Sequence, residues 1–264
     1  MSLLAQLAPA WRITAFYLII LILTSLSAKL ISALLSGHSS KERVRFVMLA
    51  PTLSLTTWRR RRPITRSDFR RWGLRAVWIL PSLFAGYLIL PALLSRTQLS
   101  WSGKAYLAVV PFWLLTEAIG LATQIMGAMM GFHVPSLHEA PWRSESLAHF
   151  WGRRWNRLYS DWFRETCFDP FNHKPILALA ATFMVSSLLH EALVNIPLLA
   201  VYGTNLLGSM LLYFLLQTAG ILVERKWLRR RQRARRAFLW TVVLGPVPLV
   251  LNEGTLRIFH LAGD

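Results

Sequence analysis

Acidic residues are scarce in this chain. Asp and Glu total 12 against 30 Lys and Arg in 264 residues, a formal net charge of +18. Charged residues of both signs make up 16%, against about 25% in an average soluble domain. A disordered chain needs low hydrophobicity, and the 54% apolar content excludes that class. Cysteine is nearly missing: Cys167 stands alone, so no disulfide scaffold can form. There is no glycine-rich phosphate loop and no Gly-x-Ser-x-Gly nucleophile elbow. His-Glu occurs at His138-Glu139 and His190-Glu191, but Trp142 and Val194 stand where a zinc peptidase needs its second histidine. His133 and His138 are five apart, a poor spacing for two metal ligands on one helix, so no metal is expected. Internal repeats are also absent.

What the chain does have is long apolar blocks separated by basic ones. Residues 13–35, 76–94, 106–130, 175–201, 206–223 and 238–259 are each apolar over roughly the 20 residues that cross a bilayer core. Residues 44–58 form a weaker stretch interrupted by Pro51, read as a re-entrant, interfacial or tilted element. The expected fold is all-α, a polytopic transmembrane helix bundle of about 6–7 spans forming one membrane-embedded domain over residues 1–264. The first block is too long for the apolar core of a usual signal peptide and reads as a retained anchor.

The basic residues fall where a topology signal would put them. Arg59–Arg62, Arg66, Arg70, Arg71 and Arg75 make one cluster; Arg225, Lys226, Arg229–Arg231, Arg233, Arg235 and Arg236 make another. Placing residues 59–75, 131–174 and 225–236 in the cytoplasm satisfies the positive-inside rule for every later loop. These clusters border apolar blocks, which suits anionic lipid headgroups rather than nucleic acid. Arginine outnumbers lysine 25 to 5, which points to a bacterial inner membrane, with the ER membrane as the eukaryotic equivalent.

Residues 144–164 do not read as a span. Leu147, Phe150, Trp151, Trp155, Leu158 and Trp162 recur at helical spacing, while Arg153, Arg154, Arg157 and Arg164 fill much of the remainder. The expectation is one interfacial amphipathic helix capped by Ser144. On it, His149, Gly152, Asn156 and Ser160 would share a face. In the 175–201 block, His190 lies near the middle, where ionisable residues are rare and face the bundle interior or a wet cavity. A buried neutral imidazole suits a general base near neutral pH. It equally suits a structural hydrogen bond or a proton relay, so a small transporter or a lipid-binding membrane protein using His190 and Glu117 is the alternative class.

Two motifs together narrow the choice. Phe150-Trp151-Gly152-Arg153-Arg154-Trp155-Asn156 resembles the Phe-Trp-x-Arg-Trp-Asn/His signature of membrane-bound O-acyltransferases, in a spelling similar to the wax-synthase branch. Ser186-Ser187-Leu188-Leu189-His190-Glu191 resembles that family's Ser-Gly-x-x-His-Glu segment, with Ser187 in place of Gly. The resemblance covers mainly residues 136–260. It implies transfer of an acyl group from acyl-CoA, as co-substrate with no bound cofactor, to the hydroxyl of a lipophilic alcohol. Carried over, His190 is the base and Asn156 its catalytic partner. Arg153, Arg154 and Arg157 become candidates for the CoA phosphates. Trp151 and Trp155 shape the channel, and Glu191 orients His190 or makes a separate structural bond. Acyl chain length, acceptor identity and oligomeric state are not written in the sequence.

Overall fold

The structure is a computed structural model that describes residues 8–36, 39–59, 62–96, 98–131 and 133–261. Arg60 and Arg61 of the first basic cluster lie outside the described residues. The described residues form helices and connecting turns, with no strand among them. Among the described residues, four helices are long and apolar enough to cross a membrane: Pro9–Leu35 (α1), Arg66–Leu94 within α4, Trp101–Met129 (α5) and Pro175–Tyr202. The last is continuous through Pro175–His190 (α8), a π-helical turn at Glu191–Asn195 and Ile196–Tyr202 (α9). Most of their large apolar side chains point outward, as in Leu34, Val77, Phe84 and Met129. A water-facing fold would bury such a surface; a bilayer solvates it.

Three expectations from the sequence change in detail. Helix α4 runs Arg66–Ser95, beginning ten residues before the apolar block and carrying Pro81 and Pro91 within it. The 44–58 stretch is not a single helix: Ser40–Leu49 (α2) ends at Ala50, and Leu55–Arg59 (α3) follows a break containing Pro51. At about 1.5 Å per residue, α2 reaches only about half-way across a bilayer core. The 238–259 block is also divided. Gln232–Leu244 (α11), Val247–Val250 (α12) and Glu253–Ile258 (α13) are separated at Gly245-Pro246 and Leu251-Asn252. Ser209–Val223 (α10) is 15 residues long and continues into a π-helical turn at Glu224–Leu228.

The chain divides into two compact units. One takes the described residues up to Thr24, Phe84–Phe112 and those from Phe183 onward; the other takes Ser25–Leu83 and Trp113–Thr182. In the first, Ile13, Val194, Leu198, Met210 and Ile258 form a core cluster, with Tyr17 and Phe259 packed edge to face beside it. Tyr106 donates its hydroxyl proton to the Gly245 carbonyl at 2.5 Å, fixing the α11–α12 corner. Arg257 pairs with Glu253 and lies over the rings of Trp101 and Tyr202. In the second, Ala33, Phe46, Ala50, Leu55, Trp58 and Val134 cluster. The Trp162 indole donates to the Ala28 carbonyl at 2.9 Å, docking its helix on the C-terminal part of α1.

Candidate active site

The segment expected to be one amphipathic helix is broken at Asn156. Leu147–His149 (α6) starts on Ser146, whose side chain accepts the His149 N–H, so the cap is Ser146 rather than Ser144. A π-helical turn follows at Phe150–Arg154, then extended Trp155, then Asn156 with φ 43°. Helix resumes at Arg157–Phe163 (α7). His149, Gly152, Asn156 and Ser160 therefore do not lie along one regular helix. Asparagine tolerates the left-handed region better than most residues, yet it remains a costly conformation that surrounding structure must impose.

The imposing structure is residues 137–139. The Glu139 N–H donates to the Arg154 carbonyl at 2.9 Å, and the Arg157 N–H donates to the Leu137 carbonyl at 2.8 Å. These two bonds bracket Asn156. The His138 ring sits 4.2 Å from that of Trp155, and Trp155 stacks on Phe150 at 5.6 Å. Ser160 ties the turn from the other side by donating to the Trp151 and Trp155 carbonyls at 2.8 and 3.1 Å. Burial and the Arg75 charge push the His138 imidazole down to about 3, so it stays neutral across the physiological range.

The arginines divide by engagement. Arg157 pairs with the Glu139 carboxylate. Arg154 donates to the Glu139 carbonyl at 2.9 Å and to His149 Nε2 at 3.1 Å. Arg164 donates to the Gly152 carbonyl. Arg153 is exposed and makes no ion pair among the described residues. Within this framework Asn156 Oδ1 is buried and has no hydrogen-bond partner among the described residues. Nearly all buried polar atoms in proteins are paired, so this acceptor at a left-handed residue stands out from its surroundings.

In the other unit, His190 is near the middle of the 28-residue helix Pro175–Tyr202. Its Nδ1 lies 2.7 Å from the Ser186 carbonyl oxygen. A carbonyl only accepts, so Nδ1 carries the proton and Nε2 is the basic nitrogen. The ring packs against Phe214 at 4.9 Å. A π-helical turn begins at the next residue, a distortion often found at functional sites.

Glu191 has other bonds. Its Oε1 accepts the backbone N–H groups of Gly208, Met210 and Leu211, at 2.9, 2.9 and 3.2 Å. These lie at the N-terminus of α10, where backbone donors and the helix dipole favour a carboxylate. Its Oε2 accepts from Asn195 Nδ2 at 2.7 Å. Asn195 also donates to the Leu206 carbonyl and to Ser209, and its Oδ1 accepts from Asn252 at 2.9 Å. Asn252 in turn caps α13 by accepting the Thr255 N–H. Sequence reasoning passed over Ser209, Gly208 and Asn252. An Asn three residues before Thr255, next to Glu253, was a readable helix-start signal. Gly208 has φ 93°, which glycine adopts without strain.

Among the described residues, no group of three or more His, Cys, Asp or Glu could hold a metal ion. The class these features define is an all-helical integral membrane protein with an isolated histidine inside one of its spanning helices. Residues 134–216 match the model of the Membrane bound O-acyl transferase family. Over 114 residues the chain is 31% identical to "Acyl-CoA--sterol O-acyltransferase 1" of Arabidopsis thaliana, covering 39% of this chain and 33% of that protein. The chain thus spans about a third of the length of the curated relative it matches. Residues 134–216 are therefore similar to the membrane-bound O-acyltransferase family. The matched segment carries both Asn156 and His190.

Proposed function

We propose that the protein is a wax synthase-like membrane-bound O-acyltransferase that transfers an acyl group from acyl-CoA to the hydroxyl of a lipophilic alcohol. The observation that carries this reading is the His190 ring: Nδ1–H is held by the Ser186 carbonyl, so Nε2 is a proton acceptor inside a spanning helix. An alcohol attacks a thioester well only when a base removes its proton during attack. The alcohol proton passes to His190 Nε2, and the alcohol oxygen bonds to the acyl carbon. The carbon–sulfur bond then breaks, and the CoA thiolate takes the proton back. Ester and free CoA leave, and the histidine is neutral again.

Asn156 Oδ1, buried and unpartnered, suits an N–H or O–H donor on a substrate. Arg153 is the arginine best suited to a CoA phosphate, because Arg154 and Arg157 already have partners within the chain. In this reading residues 59–75, 131–174 and 225–236 face the cytoplasm, where acyl-CoA is found, and the alcohol arrives through the bilayer. The sterol named in the Arabidopsis relative supports a bulky lipophilic acceptor. The test is ester formation in isolated membranes, using radiolabelled acetyl-CoA or palmitoyl-CoA with a panel of fatty alcohols and sterols. Ester formed by wild type and lost in His190→Ala is expected; ester formed equally by both would remove His190 from the chemistry.

A further inference from the structure

Glu117 is an ionisable residue of α5 that the proposed reaction leaves unused. Glu117, Gly120 and Gln124 are three and four residues apart, so they share one face of the helix. All three are buried. The non-helical residues 134–138 lie along that face. The Gln124 side-chain amide donates to the Val134 carbonyl at 3.2 Å. A Cβ built at Gly120 would stand 2.7 Å from Leu137 Cβ, a separation real Cβ atoms essentially never show. His138 Nδ1, which has no hydrogen-bond partner among the described residues, lies 3.5 Å from Glu117 Oε1. These contacts run in opposite order along the two segments, so residues 134–138 are antiparallel to α5. The lengths agree: four residues of extended chain reach about 13 Å, and seven residues of helix about 10 Å. Arg75 of α4 closes the arrangement, pairing with Glu117 and donating to Gln124 Oε1 at 3.0 Å.

The other side of the same segment holds Asn156. The Leu137 carbonyl accepts the Arg157 N–H, the Glu139 N–H donates to the Arg154 carbonyl, and the His138 ring lies against Trp155. Residues 137–139 are thus a spacer between a spanning helix and the left-handed turn. All of these residues belong to the second unit. A left-handed non-glycine residue persists only where its surroundings over-determine it, and here those surroundings are seated on Glu117, Gly120 and Gln124. We infer that this face of α5, locked by Arg75, is the platform that sets the position of Asn156, with Glu117 and Gly120 as positioning residues. The inference rests on the acyl-transfer reading for its effect on rate, though not for its geometry. A displacement of about 1 Å at a reacting group can cost about 10²-fold in rate.

The test compares full-length wild type in detergent with Gly120→Ala, Glu117→Gln and a control, Gly86→Ala. A Cβ at Gly86 meets Pro111 only at an ordinary contact distance of 3.5 Å. Amide hydrogen exchange is followed at Glu139 and Arg157, the two donors that bracket Asn156, and at Met210 and Leu211, whose N–H groups are held by Glu191. Ester formation on the same preparations gives kcat and the KM for acyl-CoA. Gly120→Ala and Glu117→Gln should each speed exchange at 139 and 157 by about fivefold or more, leaving 210 and 211 unchanged. In both, kcat should fall about tenfold with KM within about twofold of wild type. Gly86→Ala should match wild type in every reading. Unchanged exchange at 139 and 157 would overturn the inference. So would faster exchange there with an unaltered kcat, or a rise of equal size at all four amides. A wild type that forms no ester would defeat the acyl-transfer reading alone, and the exchange measurement would still decide whether the platform holds Asn156.

Discussion

Glu191 and Asn156 are both polar residues set among apolar ones, yet their surroundings treat them in opposite ways. Every oxygen of Glu191 is engaged: three backbone N–H groups reach one and the Asn195 amide the other. Asn195 and Asn252 extend the same network until it caps two helices. Asn156 has a left-handed backbone, is bracketed by two backbone bonds from residues 137–139, and its Oδ1 has no hydrogen-bond partner among the described residues. A saturated network holds helices together and offers nothing to a substrate. A strained residue with an unmet acceptor costs stability, and in the proposed reading that acceptor is kept for a substrate. The contrast accords with the sequence reading, which gave Asn156 a catalytic role and left Glu191 to orient His190 or to make a separate structural bond.

The largest expected effect is on catalysis at His190. His190→Ala should lower ester formation by about 10²–10⁴-fold, the usual contribution of a general base, with the unfolding midpoint close to wild type; a midpoint that collapses together with activity would assign His190 to the framework instead. Next in size is Glu191→Ala. It leaves three backbone donors and an amide unpaired in the interior, so a loss of about 3 kcal/mol or more is expected, read as loss of monodisperse protein on size-exclusion chromatography. Asn156→Gly sharpens the comparison from the other side. It relieves the left-handed strain and should raise stability by up to about 1 kcal/mol while abolishing transfer.

Smaller effects separate the arginines and the buried histidine. Arg153→Ala should raise the KM for acyl-CoA about tenfold with kcat nearly unchanged, as expected for loss of one charged phosphate contact. Arg157→Ala, which breaks the Glu139 pair, should lower the midpoint without that selective KM change. His138 titrates near 6.5 when unfolded and at about 3 when folded. The unfolded chain therefore takes the proton first. Its contribution to stability is complete above pH about 6.5 and falls as pH drops from there toward 3, by up to about 1.4 kcal/mol per pH unit. Midpoints measured at pH 7.5 and 5.5 should differ less in His138→Gln than in wild type.

The long helices were legible from the sequence because hydropathy over about 20 residues reports bilayer length directly. The motifs that hold His190 and Asn156 are read from residue order, which no local change of backbone alters; the roles proposed for the two residues rest on that order. The break at Asn156 was not legible. Leu147, Phe150, Trp151, Trp155 and Trp162 keep a helical spacing, and neither a π-helical turn nor a left-handed residue alters that count. Asn252 was hidden for a related reason: it lies within residues 238–259, whose hydropathy suggests one span, whereas Gly245-Pro246 and Leu251-Asn252 divide it into three short helices. The arginines could be counted but not sorted, since their partners Glu139 and His149 are set by the fold of residues 137–157.

The most direct test of the contrast is a matched pair of variants, Asn156→Ala and Asn252→Ala, purified in parallel. Thermal midpoint and ester formation would be measured on the same preparations. The expected result is a double dissociation: Asn156→Ala keeps the wild-type midpoint and loses transfer, while Asn252→Ala unfolds several degrees earlier and, at a temperature where it is folded, keeps most of its transfer. If the two variants lose stability and activity in the same proportion, the difference between the saturated network and the open acceptor carries no functional meaning.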